Sequence, residues 1–394
     1  MSFFPVKILI AISLVSLCFN MPLLAADAAK KEDQPTDFEK ATEAYNKKDY
    51  TTALMLWFPL AEKGDSEAQF MLGNMYMRQT GERKDLESAA HWFEKAAQQN
   101  HAKAMSMLGR LYLKGVGVKR DFRKAAIWLL KAAREGDVEA QFAIAKMYEH
   151  GDGVAYKPGK AAYWLLQAAD QNHPLAQYNL GMMYLGGRGI SKDYDKALEM
   201  LNKAAENKQE RAMLELGRIY KNGLGKKVEQ DYEKAKLWYD RAAERGNPEA
   251  MNQLGQFYKE GLGTDINMKQ AFKFFKQAAD KKLLDAQYHL GVMYVNGYGV
   301  KQNFEKGVAQ FKLAAEQGHG EAQMDLGVAY YTGKGIFPDP TLAYAWFNTA
   351  ARYGVKNAQK NRAAVYDKLT ADEKRNAVKL GTEYAKKYGP SAFR

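Results

Sequence analysis

A short pattern centred on a small residue returns about every 36 residues through most of this 394-residue chain. Successive copies are 36, 36, 36, 36, 38, 36 and 36 residues apart, with a tyrosine three places after each centre and an alanine five places before it. Such regular spacing predicts an array of stacked units instead of several globular domains. The centres, called position 0 of their repeats, are Gly73, Gly109, Ala145, Gly181, Gly217, Gly255, Gly291 and Gly327.

Each repeat is predicted to form two helices. Alanine at position −5, leucine or isoleucine at −1 and tyrosine at +3 share one face of the first helix. A Gly-x-Gly pair, such as Gly115 and Gly117, follows in seven of the eight repeats, and glycine suits the left-handed conformation that ends many helices. Asp121, Asp193 and Asp231 suit the start of the second helix. The small residue at position 0 and a later Ala-Ala pair predict close packing of the two helices.

One helical hairpin cannot bury its own apolar face, so the hairpins must stack into a continuous core. The predicted fold is therefore all-α, a right-handed superhelical α/α solenoid of about eight 36-residue repeats over residues 66–355. Residues 27–65 are predicted to form a linker and a degenerate opening helical hairpin. Residues 356–394 are predicted to form basic C-terminal capping helices, with a capping box at Thr370 and Glu373.

Residues 1–26 have the features of a secretion signal. Lys7 precedes the apolar run Ile8–Phe19, whose 12 residues are fewer than the roughly 20 needed to span a bilayer. Cleavage is expected after Ala26, and the alternatives are cleavage after Ala28 or retention as an uncleaved anchor. The signal resembles a bacterial one, so the chain is predicted to be exported and either periplasmic or secreted.

The sequence shows none of the common catalytic motifs. Its single cysteine, Cys18, lies in the predicted signal, which excludes an internal disulfide framework and a multi-cysteine zinc or iron–sulfur site. A nucleophile elbow, a phosphate-binding loop and a His-Glu-x-x-His motif are missing. We therefore predict no catalytic residue, no cofactor and no metal site. The histidines, each expected to be a solvated side chain, are His91, His101, His150, His173, His289 and His319.

Residues 104–133 carry the fullest copy of the repeat, Ala-x-x-x-Leu-Gly-x-x-Tyr-x-x-Gly-x-Gly-Val and then Asp-x-x-Lys-Ala-x-x-Trp-x-x-Lys-Ala-Ala. Over roughly residues 38–355 this pattern resembles the Sel1-like repeat family, related to tetratricopeptide repeats. It departs locally, at Ala145, and where Met200 and Gln310 replace tryptophan. The resemblance implies an adaptor in envelope assembly, signalling or host-cell interaction. Some exported, cysteine-rich members are associated with β-lactam binding or hydrolysis, so a β-lactam-acting hydrolase is an alternative from resemblance alone.

One side of the first helix is predicted to line the concave groove of the solenoid. A helical wheel places positions −3, −2, +1 and +4 opposite the core. In the first four repeats this side is more apolar than a solvated face, which is typical of partner-binding surfaces. For position −3, packing between adjacent first helices is an equal alternative. The candidate binding residues are Phe70, Met71, Met77, Met107, Arg110, Leu113, Phe142, Lys146, Tyr178, Met182, Leu185 and Arg218.

Charge is unevenly distributed along the chain, whose formal net charge is +12. Residues 352–394 hold 11 Lys and Arg against 4 Asp and Glu, whereas residues 27–65 hold 6 Lys against 9 Asp and Glu. The basic end is either a solvated helical cap or a surface that attracts anionic glycan or lipid. The leading prediction is a scaffold that binds a protein partner in the groove. A cell-wall or exopolysaccharide-associated factor is the first alternative, and nucleic acid is not an expected partner.

Overall fold

A computed structural model describes residues 35–78 and 85–390. Within these residues every regular element is an α-helix, and one isolated β-bridge joins Leu224 and Val228. That bridge lies in the loop that makes one repeat two residues longer than the others. The predicted secretion signal, residues 1–26, lies outside the described residues.

The helices form eight hairpins with two further helices at each end. The helices before the repeats are α1 (Asp37–Asn46) and α2 (Tyr50–Glu62). The first helices of the repeats are α3 (Ser66–Arg78), α5 (Ala102–Lys114), α7 (Val138–His150), α9 (Pro174–Gly186), α11 (Glu210–Asn222), α13 (Pro248–Glu260), α15 (Leu284–Asn296) and α17 (Gly320–Thr332). The second helices are α4 (Leu86–Gln98), α6 (Phe122–Arg134), α8 (Pro158–Asp170), α10 (Tyr194–Glu206), α12 (Tyr232–Glu244), α14 (Met268–Asp280), α16 (Phe304–Glu316) and α18 (Pro340–Arg352). The helices after the repeats are α19 (Ala358–Lys368) and α20 (Ala371–Tyr388).

The predicted all-α repeat solenoid is confirmed, and position 0 explains its close helix packing. A β-carbon added at Gly109 would lie 2.6 Å from Leu129 Cγ. One added at Gly255 would lie 2.6 Å from the Phe275 ring. Neither distance is compatible with van der Waals contact, so these helices approach closely only because the residue lacks a side chain.

The two glycines of the Gly-x-Gly pair have different roles. Gly115 ends α5 in the left-handed conformation, with φ of 69°, as predicted. Gly117 instead faces the preceding repeat, where an added β-carbon would lie 1.9 Å from the carbonyl oxygen of Leu86. The pair therefore ends a helix and also allows neighbouring repeats to stack.

The helix starts and the C-terminal end follow local rules. The predicted N-caps Asp121, Asp193 and Asp231 are confirmed, each accepting backbone hydrogen bonds at the start of its second helix. The capping box between Thr370 and Glu373 is confirmed too. None of the described helices is both long enough and apolar enough to cross a membrane.

Helix α20 folds back over α18. Trp346 of α18 lies 4.9 Å from the ring of Tyr384 and 5.2 Å from that of Tyr388, measured between ring centroids. Gly381 lies close against α18, where an added β-carbon would be 3.1 Å from the Tyr344 ring, and its carbonyl accepts a 2.8 Å hydrogen bond from Asn348. Helix α18 is thus covered on a side that is open to solvent in the second helices of earlier repeats. On α6, for example, Ile127 lies on that side and is 55% exposed.

Candidate binding surface

First helices of neighbouring repeats contact each other directly along one side of the solenoid. Lys221 of α11 donates a 2.9 Å hydrogen bond to Gln253 of α13. His289 of α15 and Asn252 of α13 are hydrogen-bonded at 2.9 Å. Positions −3, −2, +1 and +4 of successive repeats therefore form one continuous surface, which we call the first-helix face.

The predicted binding residues all lie on the first-helix face, over repeats one to five. The apolar and aromatic candidates are half-buried and pack against the hydrophobic core: Phe70, Met71, Met77, Met107, Leu113, Phe142, Tyr178, Met182 and Leu185. Arg110 and Lys146 are also half-buried, whereas Arg218 is exposed. Each apolar candidate thus presents part of its side chain to solvent and part to the core. Their role in binding stays a prediction.

Position −3 packs against the following repeat. The ring of Phe70 stacks on His101 with centroids 4.7 Å apart, and that of Phe142 stacks on His173 at 4.6 Å. Where position −3 is not aromatic it is still covered, as at Ser106, which is 3% exposed. These contacts give position −3 a packing role between adjacent repeats.

The expectation that every histidine is a solvated side chain is wrong for His101, His173 and His319. Each is the N-cap of a first helix, and its Nδ1 accepts a backbone hydrogen bond, as in the 3.1 Å bond from Ala104 to His101. Aspartate does the same at Asp137. Sequence reasoning missed a usable signal, because these histidines follow an aromatic residue at position −3 by 31 residues.

The same expectation is wrong for His289, which lies within the first-helix face. Burial, reinforced by the charge of Lys259, lowers the pKa of His289 to about 4. In the next repeat, burial raises the pKa of Asp325, whose carboxylate accepts a hydrogen bond from Tyr288. Among the described residues, no group of three or more His, Cys, Asp or Glu side chains could hold a metal ion.

Charged residues on the first-helix face fall into two groups. Arg110 lies 3.8 Å from Glu139, Arg218 lies 3.5 Å from Glu215, and Lys146 pairs with the largely buried Glu149. Within residues 35–78 and 85–390, no carboxylate comes within 4.0 Å of the ammonium groups of Lys221 and Lys259. Both lysines are half-buried and occupy position +4 of successive repeats.

A buried polar contact at position −4 links repeats beneath this face. The Gln141 side chain donates to the Ala133 carbonyl at 3.2 Å and accepts from Gln171 at 2.8 Å. Repeat seven has the equivalent bond between Gln317 and Gln287, at 3.1 Å. These hydrogen bonds join neighbouring repeats and contribute to stacking.

Comparison with known proteins agrees with this architecture. A family model described as Sel1 repeat matches residues 66–101, 102–137, 138–173, 174–208, 210–247, 248–283, 284–319 and 320–354. The chain is similar to the crystal structure of a Sel1 repeat protein from Oxalobacter formigenes, with 30% identity and a TM-score of 0.62 over 83% of this chain and 93% of that one. It is also similar to a protective antigen with an SLR fold from uropathogenic Escherichia coli strains, with 30% identity and a TM-score of 0.55 over 91% of this chain and 85% of that one. No curated relative matches the chain. The eight matches span most of the chain, which belongs to the Sel1 repeat family.

Proposed function

We propose that this chain is a non-catalytic scaffold that binds a protein partner on the first-helix face. Proteins built from this repeat typically bind protein partners. The observation that carries the proposal is the row of half-buried apolar side chains on neighbouring first helices, including Met71, Met107 and Met182. Methionine is unbranched and polarisable, so it adapts to a partner surface better than a branched side chain does.

The fold suits such a role because the face is organised before the partner arrives. Backbone groups of the first helices are hydrogen-bonded within the helices, so a partner is recognised through side chains. Phe70 and Phe142 are held by stacking on the next repeat, which limits the side-chain entropy lost on binding. A rigid row of first helices can thus bind an extended or helical segment that crosses several repeats.

The direct test uses a variant with Met107→Glu and Met182→Glu. Wild-type and variant proteins would be crosslinked to envelope and culture-supernatant proteins, with Ile127→Glu and Leu237→Glu as the matched control. The control residues are exposed apolar side chains on second helices, 55% and 50% exposed. We expect one protein to be retained by wild type and control and lost with the methionine variant.

Circular dichroism of the same variants decides how a loss is interpreted. Retained helical signal in the Met107→Glu, Met182→Glu variant means that the loss of partner reflects the surface. A collapsed signal would show that these methionines belong to the core. Recovery of the same proteins by all three would contradict binding on the first-helix face.

We also propose that the chain is exported into the periplasm or the medium. The basis is the sequence of residues 1–26, with Lys7 before a 12-residue apolar run. Mass spectrometry of protein expressed at full length and recovered outside the cytoplasm should show a chain beginning at Asp27. A chain that keeps residues 1–26 would indicate an uncleaved anchor.

A second candidate, binding to anionic glycan or lipid, is favoured by the exposed cations of α20. Lys379, Lys386 and Lys387 are all exposed there. Contact through these side chains would weaken steeply with salt, whereas binding to an apolar surface would not. Co-sedimentation with purified cell wall at low and high salt separates the two.

A further inference from the structure

The cations of the first-helix face differ in what neutralises them. Arg110, Lys146 and Arg218 each lie within 4.0 Å of a carboxylate. Lys221 and Lys259 have no such partner in the described residues, although both are half-buried. A half-buried charge without a counter-ion has lost part of its hydration with no compensating ion pair.

The surroundings of Lys221 show that its ammonium group has exchanged part of its hydration for neutral neighbours. Its ammonium donates to the neutral amide of Gln253 at 2.9 Å and lies 5.7 Å from the centroid of the Phe257 ring. Burial lowers the pKa of Lys221, although Glu260 opposes the shift from beyond ion-pairing distance. The nearest partner of Lys221 is therefore polar and uncharged.

Lys259 occupies the same place one repeat later. Burial lowers the pKa of His289, and the positive charge of Lys259 adds to that shift, so this histidine is uncharged at neutral pH. The other first-helix face residues of this repeat, Asn252, Gln253 and Gln256, are uncharged as well. Repeats five and six thus present two adjacent ammonium groups, beside the Arg218–Glu215 ion pair of repeat five and the neutral amides of repeat six.

We infer that the partner bound on the first-helix face is an acidic polypeptide segment whose carboxylates pair with Lys221 and Lys259. This inference rests on the proposed function and names the chemistry of its partner. Charge complementarity selects carboxylates. The half-buried methionines of repeats one to four select a polypeptide over a polyuronate glycan, because only the polypeptide also supplies apolar side chains.

The repeat geometry also sets a spacing. Packed helices lie ~10 Å apart, and an extended chain advances about 3.3 Å per residue. Carboxylates that reach Lys221 and Lys259 from an extended segment would therefore be about three residues apart. In a helical segment they would be about seven residues apart, at 1.5 Å per residue.

The test is selection from a random library of peptides of about twelve residues displayed on phage, with the full-length mature chain as bait. Wild-type protein should enrich peptides with Asp or Glu at the predicted spacing. The variant Lys221→Gln, Lys259→Gln should lose that enrichment and bind a selected peptide roughly tenfold more weakly. The matched control is Lys269→Gln, Lys273→Gln, which removes the same charge from exposed side chains of α14.

Every outcome decides the inference. Enrichment without acidic residues, equal enrichment by the Lys221→Gln, Lys259→Gln variant, or no enrichment at all would overturn it. Displacement of the peptide by polygalacturonate at matched carboxylate concentration would indicate a glycan ligand and would also overturn it. The proposed function has a separate readout. Enrichment of apolar peptides that is lost only with the Met107→Glu, Met182→Glu variant would support binding on the first-helix face and would contradict an acidic partner.

Discussion

The first-helix face differs between repeats one to four and repeats five to eight. The early repeats present Met71, Met107 and Met182, whereas repeats five and six present Lys221, Lys259 and other polar side chains. Repeats seven and eight return to apolar side chains such as Val328 and Tyr331. Below the surface the two regions share their contacts. Position 0 packs against Leu129 in repeat two and against Phe311 in repeat seven, with an added β-carbon 2.6 Å away in both.

This difference teaches that stacking and recognition use separate positions of the repeat. Positions −5, −1 and 0 are directed into the core, and position −4 links repeats. Positions −2, +1 and +4 vary without changing those contacts. A repeat array can therefore change its surface chemistry along its length while it keeps one packing scheme.

The largest expected effect tests whether both regions share that scheme. We expect Gly109→Val and Gly255→Val to lower the free energy of unfolding by about 3 kcal/mol or more each, because overpacking at these close contacts cannot relax easily. Urea denaturation followed by circular dichroism measures the loss. Gly186→Ala is the control, since an added β-carbon there meets no atom within 4 Å. Two variants as stable as wild type would contradict the packing argument.

A smaller effect is expected at the buried amides. Gln141→Ala and Gln287→Ala should each cost about 2 kcal/mol, because both remove a buried side chain together with its hydrogen bond between repeats. Gln141→Met should cost less, because Met105 holds the equivalent position in repeat two and is 1% exposed. Thermal unfolding of the three variants would test this order. A much larger loss in one region would show that the two regions are not held alike.

The smallest expected effect is a loss of folding stability at acidic pH. It arises from His289 of repeat seven, in the later region only. The folded state lowers the pKa of His289 from 6.5 to about 4, so its contribution to stability is present above pH 6.5 and is lost as pH falls toward 4. Burial raises the pKa of Asp325, so protonation of this carboxyl at the acidic end of that range favours the folded state instead. Asn252, Lys259, Asp285 and His319 also face or influence this histidine.

We expect about 1 kcal/mol to be lost between pH 7 and pH 5 through His289, less than a fully buried shift would give because the side chain is partly solvated. His289→Asn should flatten the dependence, and His91→Asn, at an exposed position in repeat one, serves as the control. Denaturation at several pH values measures both. An unchanged slope in His289→Asn would exclude this histidine as the source.

Part of the surface could be predicted from the sequence because helical periodicity assigns positions to faces. Met107 and Met182 lie on the predicted side of their helices. The stacking of Phe70 on His101 was not predicted, because it joins residues 31 positions apart in different repeats. The missing counter-ions of Lys221 and Lys259 could not be predicted either, since charge pairing depends on distances between side chains of different helices.

The sequence by itself determined the period, the two helices of each repeat, their caps and the core positions. These follow from interactions within a few residues, such as the capping of α6 by Asp121 and the end of α5 at Gly115. Only the tertiary structure decided what each repeat contacts: the Leu86 carbonyl against Gly117, the amides of Gln141 and Gln171, and α20 over α18. The reason is physical, because local periodicity sets directions along one helix, whereas these contacts depend on how closely and at what angle separate helices pack.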